Sequence, residues 1–210
     1  MTRELVRTLI ELLGVRSDTT EGKRELFGLV RSRLEDLGLE VAVGGPYENP
    51  AMLARHGVGG MAFAAHLDTV PAGEDWTRED GEVEAGKVYG LGAADMKGGT
   101  AAMIVAASTL IEEKVPFTLL ITTDEEEMMT GAEFLAKRPE VRRASGVLVG
   151  EPTDLRVAWK EKGISRLTLT AHGVAAQAMR AERNDLQLGI VINASPVRSE
   201  GSPDASADAL

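Results

Sequence analysis

The sequence predicts an α/β fold, a three-layer α/β/α sandwich around a mixed, largely parallel sheet. Two observations carry that expectation. Short apolar runs alternate along the chain with helical stretches, and glycine, proline or charged residues bound the runs. Beyond Glu151 the alternation stops, which puts the end of the first domain near residue 157.

Each element has its own warrant. In "RELVRTLIELL", Leu5, Leu9, Leu12 and Leu13 share one face and predict the first helix. Leu26, Val30, Leu34 and Leu37 form the stripe of a second helix, from about Glu21 to Leu37, and Gly38 supplies its stop. The apolar runs "LEVAV" (39–43), "MAFAA" (61–65), "FTLLIT" (117–122) and "GVLVG" (146–150) predict strands. "GGTAAMIVAASTLIEE" (98–113) is apolar all round, the pattern of a helix packed on a sheet, and "GAEFLAKRPE" (131–140) predicts a shorter helix. "LRVAWKEKGISRLTLTAHG" reads as two short strands opening a second domain. His56, in "ARHGVGG", is expected in a loop. From Ala194 to Leu210 the chain is mostly Ala, Ser, Pro, Asp and Gly without periodicity, so no regular structure is expected there.

Composition narrows the function. With 43% hydrophobic and 27% charged residues the 210-residue chain is globular, and its net charge of -10 works against binding nucleic acid or anionic membranes. The absence of cysteine excludes disulfides, thiolate zinc sites and cysteine nucleophiles. "MTRELVRTLIELLG" is too charged for a signal peptide and no apolar run is long enough to span a membrane, so a cytoplasmic location is expected.

Chemistry-bearing residues collect at strand ends. "MAFAA" runs into His66 and Asp68, "FTLLIT" into Asp124–Glu127, and "GVLVG" into Glu151. Asp95 lies in the glycine-rich loop "GLGAADMKGG" ahead of the apolar helix. Taken singly, each has a plain structural explanation: a core histidine beside a turn aspartate, a solvated acidic loop, a helix cap, a loop glutamate. Together they place one histidine and several carboxylates at the C-terminal edge of one sheet, where open α/β sheets bind ligands. Carboxylates crowded there repel one another and call for a cation. A His, Asp and Glu donor set suits Zn²⁺, Co²⁺ or Mn²⁺. "GLGAAD" imitates a dinucleotide fingerprint, but Asp95 stands where glycine belongs and would repel a pyrophosphate.

In this order and spacing, "HLDTVP", "GAADMKGG", "TTDEEE" and "VGEPTDL" resemble the M20 family of metallohydrolases, which includes acetylornithine deacetylases and succinyl-diaminopimelate desuccinylases. The similarity covers roughly residues 1–176. It implies that His66 and Glu151 hold one zinc, that Asp95 bridges two, and that Glu126 ligates the second. It also implies Glu125 as general base and Asp68 as the partner that orients His66. The substrate implied is an N-acyl amino acid or small peptide, and relatives are homodimers. Residues 158–180 would begin an α+β lid and dimerisation domain, and 181–210 would form a divergent tail.

The chain departs from the family in several places. Members carry a late histidine for the second zinc, and neither His56 nor His172 occupies a matching position. "GVAAQA" has Gln177 where the family has a histidine, and Leu91 stands where many members have arginine. The break near Met179 reads as a truncation or frameshift. The alternative it raises is an inactive remnant that binds at most one metal ion, with uncovered apolar sheet surface that favours association with another chain.

Overall fold

The computed structural model describes residues 2–160, together with the backbone of two short strands at 165–168 and 189–192. The chain divides into two compact units, Met1–Asp154 and Leu155–Leu210.

The first unit opens with helices α1 (Thr2–Leu13) and α2 (Thr20–Asp36). Thr19 caps α2, its hydroxyl accepting the Gly22 N–H at 3.1 Å. Gly38 ends it in the left-handed region, with φ 81°. Its N–H donates to the Glu35 carbonyl at 2.9 Å, and the Leu39 N–H to that of Leu34 at 3.2 Å. Strands β1 (Glu40–Gly44), β2 (Ala51–His56) and β3 (Met61–His66) follow, then a small hairpin of β4 (Val83–Glu84) and β5 (Lys87–Val88). An irregular helical turn, Ala93–Lys97, leads into α3 (Gly98–Glu112), and then come β6 (Phe117–Thr122), α4 (Thr130–Ala136), α5 (Pro139–Arg142) and β7 (Gly146–Val149).

The sheet order is β1-β2-β6-β3-β7. β6, β3 and β7 pair in parallel, while β2 runs antiparallel to both β1 and β6. Only β2 therefore opposes the common direction, and the mixed sheet is as expected. Helices cover both faces. On one, Leu12, Leu26, Val30, Leu34, Met103 and Ile104 pack against Met52, Leu119 and Ile121. On the other, Phe134, Leu135 and Val141 pack against Leu53, Ala62 and Leu120. Central β6 is buried along its whole length, as its unbroken apolar run requires. The edge strand β7 differs: Val147, Leu148 and Val149 are each about half exposed.

Three sequence expectations need correcting. "AMLARH" is a strand, β2, so His56 ends a strand instead of sitting in a loop, and its ring stacks on Phe117. The Arg55 and His56 side chains had masked its β character. The 83–88 hairpin was not anticipated either. The helix expected at 131–140 is two pieces, because Pro139 cannot continue α4 and instead starts α5. Residues 155–160 form no strand, although "SRLT" does: β8 (Ser165–Thr168) pairs antiparallel with β9 (Gly189–Ile192) in the second unit. His172 and Gln177 lie outside the described residues. No helix among the described residues is long and apolar enough to cross a membrane.

Candidate metal centre

The parallel register of β3, β6 and β7 delivers three chain segments to one edge of the sheet. His66 is the last residue of β3 and lies opposite Thr122, the last of β6, so the acidic turn Asp124–Glu127 emerges beside it. β7 ends two residues before Glu151, on the other side of β3. The fourth segment, Ala93–Lys97, carries Asp95 and is held by α3. There Gly99 packs so closely on the end of β7 that a Cβ would run into the Gly150 carbonyl. The Thr100 hydroxyl lies 3.2 Å from the Met96 carbonyl and 3.4 Å from that of His66, tying this turn to β3.

His66 is the hub. Its side chain is 2% exposed. Nδ1 lies 2.9 Å from the main-chain carbonyl of Asp68, which can only accept, so Nδ1 carries the proton and Nε2 faces the carboxylates. Nε2 lies 3.2 Å from Asp95 Oδ1, 3.6 Å from Glu151 Oε1 and 3.9 Å from Glu125 Oε2. The Asp68 carboxylate, 3.5 Å from Nδ1, turns instead to the acidic turn. There it accepts the N–H groups of Glu125 at 3.1 Å and Glu126 at 2.9 Å. Asp68 thus holds the imidazole through its backbone and the glutamate turn through its side chain.

The remaining acids of the turn are anchored elsewhere. Buried Asp124 accepts the N–H groups of Thr130 and Gly131 at the start of α4, and the Thr130 hydroxyl as well. Glu127 Oε1 accepts from the buried Lys23 ammonium at 2.9 Å. Glu125 and Glu126 are the two acids of the run that join His66 in one donor group.

The electrostatics follow from burial and crowding. Burial alone lowers the His66 pKa, but Asp68, Glu151 and Glu125 outweigh it and raise it to about 9. Burial, reinforced by Asp95 and Glu125 and partly opposed by the His66 charge, pushes the Glu151 carboxyl up to about 7. Glu126 is also raised, by burial and then by the neighbouring Asp95 and Glu125. Burial would raise Asp68 as well, yet its contacts with His66 and the two glutamate N–H groups hold it low.

Among the described residues, two groups of donor atoms lie within 4.8 Å of one another: His66, Asp95 and Glu151, and His66, Glu125 and Glu126. Around a tetrahedral zinc with bonds of about 2.1 Å, neighbouring donors sit roughly 3.4 Å apart. The His66–Asp95 and His66–Glu151 separations of 3.2 and 3.6 Å bracket that value. The mixed nitrogen and oxygen donors and the raised carboxyl pKa values fit a divalent transition metal.

All six of His66, Asp68, Asp95, Glu125, Glu126 and Glu151 are therefore brought together, and His56 is not. It pairs with Phe117 at the opposite end of β6, about five residues or roughly 16 Å along the sheet from Thr122. Sequence reasoning missed the supporting lysines. Lys97 is buried beside the Asp95 turn and donates to the Val15 carbonyl at 2.8 Å, and burial lowers its pKa to about 8. Its place in "ADMKGG", two residues after Asp95, was the available signal. Lys23 had none, because its partner lies 104 residues away.

Known proteins resemble this chain in sequence and in fold. An acetylornithine deacetylase of Photorhabdus laumondii is 34% identical over 174 residues, 76% of this chain and 45% of the relative. A Staphylococcus epidermidis protein named "Probable succinyl-diaminopimelate desuccinylase" is 36% identical over 126 residues, 56% of this chain and 31% of its own length. Among solved structures, human carnosine dipeptidase 1 superposes with a TM-score of 0.62 at 24% identity, covering 80% of this chain and 41% of that one. That likeness shows the α/β/α fold. The chain thus spans less than half the length of these relatives. The sequence pattern of peptidase family M20/M25/M40 matches residues 62–206, well over half of the chain and inclusive of every residue of the centre, and on that match the chain belongs to this family.

Proposed function

We propose that the chain is built as a metal-dependent hydrolase that cleaves the amide bond of N-acyl amino acids or small peptides. The observation that carries this reading is the convergence of His66 Nε2 with carboxylates from three separate segments at one sheet edge. His66, Asp95 and Glu151 would hold one zinc. Asp95 and Glu126 would hold a second, with Co²⁺ or Mn²⁺ as chemically equivalent occupants. When bound, the ions supply Lewis acidity, which acidifies water and polarises the scissile carbonyl.

The chain's own residues do the rest. Glu125, beside Glu126 and 3.9 Å from His66 Nε2, would accept a proton from the attacking water and pass it to the leaving amine. Asp68 keeps both glutamates in register by holding their N–H groups. The names of the relatives support an acylated amino acid or dipeptide as substrate. In this reading residues 158–180 begin a lid and dimerisation domain, and the protein works in the cytoplasm. The test is a panel of N-acetyl and N-succinyl amino acids and dipeptides offered to the zinc-loaded chain. Turnover of at least one is expected, and none with both ions bound would sink the reading.

A second reading has its own support. His66 belongs to both donor groups, and one Nε2 lone pair serves one ion. A chain with no further donor for the second ion would be a non-catalytic remnant binding a single metal at His66, Asp95 and Glu151. One equivalent of zinc without turnover would favour it.

A further inference from the structure

We infer that Lys23 is a positioning residue for the metal centre, acting through Glu127. The inference rests on the two-ion reading above. Lys23 lies in the first turns of α2 and is 5% exposed, an unusual place for an ammonium. Burial of such a charge is tolerated when an opposite charge meets it, and here Nζ reaches Glu127 Oε1 at 2.9 Å. That contact joins the helical layer to the acidic turn directly beside Glu125 and Glu126.

The turn is thereby pinned at three points. Asp124 is fixed by the start of α4, the Glu125 and Glu126 N–H groups by Asp68, and the Glu127 side chain by Lys23. The first two pins hold one flank of the turn and its middle. Lys23 holds the other flank, and it neutralises one of four consecutive negative charges without touching the donor atoms. Loss of this pin cuts the tie between α2 and the half-exposed Glu127 carboxylate. The turn then loses the constraint that aims Glu126 at the second ion. Orienting partners of ligands typically account for about 10–100-fold in metal affinity.

The asymmetry of burial makes the test clean. Lys23→Met fills the same space with an apolar chain and removes the ammonium from a carboxylate that water can reach, so the fold is expected to survive. Glu127→Ala is the reciprocal change, and Glu127→Gln keeps an oxygen for Lys23 to donate to. Each protein is titrated with Co²⁺, by calorimetry and by the visible absorption that reports the ion's ligands, and its thermal unfolding is followed in parallel. Lys23→Met and Glu127→Ala are each expected to keep the first equivalent and weaken the second at least tenfold, with a changed spectrum for it. Glu127→Gln should stay near the parent, and the double variant should be no worse than either single change. Unchanged second-site affinity in both single variants, or additive losses in the double variant, would overturn the inference and leave the proposed function standing. A parent chain that binds fewer than two equivalents would overturn the two-ion reading and the inference with it.

Discussion

His66 shows how one side chain takes on meaning from what surrounds it. A buried imidazole with one satisfied nitrogen is ordinary; one whose other nitrogen meets Asp95, Glu151 and Glu125 is poised for an ion. Glu125 and Glu126 are adjacent, yet their assigned tasks differ, and this is open to a direct test. Glu125→Gln removes the basic oxygen while keeping shape, so hydrolysis is expected to fall by at least 10²-fold, the scale of a lost general base, with zinc content unchanged. Activity that survives the change would contradict the assignment. The pH dependence follows from the shifted groups. In the ion-free protein Glu151 rises from 4.5 to about 7 and His66 from 6.5 to about 9, so each binds its proton more tightly folded than unfolded. Their contribution to ion-free stability is therefore largest at the acid end, declining as pH climbs through 4.5–7 for Glu151 and 6.5–9 for His66. A metal requires the same protons to leave. Zinc affinity is accordingly expected to rise across that range, with protons released on binding. Calorimetry in buffers of different ionisation enthalpy reads the release, and an affinity flat in pH would rule out these ligands.

At the scale of elements, the site depends on how tightly α3 sits against β7. Gly99 leaves no room for a methyl group beside the Gly150 carbonyl, and Glu151 is the next residue. Gly99→Ala is expected to cost about 1–3 kcal/mol as an overpacked contact, and to weaken the ion held by His66, Asp95 and Glu151. Chemical denaturation and a zinc titration measure the two effects, and neither moving would show that the contact is slack. Elements also mark where the sequence was readable. α1, α2, β3, β6 and β7 could be read because apolar periodicity and glycine stops are local signals. β2 could not, since charged Arg55 and aromatic His56 interrupt a run whose β character comes from pairing with β1 and β6. The break at Pro139 was legible in principle, because proline forbids continuation of α4.

Across the whole molecule, the clustering of the candidate donors was legible because polar residues at the ends of parallel strands must meet at one edge once the strands pair. The supports were not. Asp68 clasping the glutamate turn and Lys23 reaching Glu127 join segments 57 to 104 residues apart, and no local pattern encodes such contacts. Val147, Leu148 and Val149 are about half exposed on the edge strand β7. Everything proposed for the chain converges on its capacity to hold metal. The most direct measurement is the zinc bound per chain after equilibrium dialysis, for the parent protein and for His66→Ala. Two equivalents in the parent, with the His66, Asp95 and Glu151 ion lost in the variant, is the expected result. No bound zinc, or two equivalents still bound after the loss of His66, would contradict the metal centre.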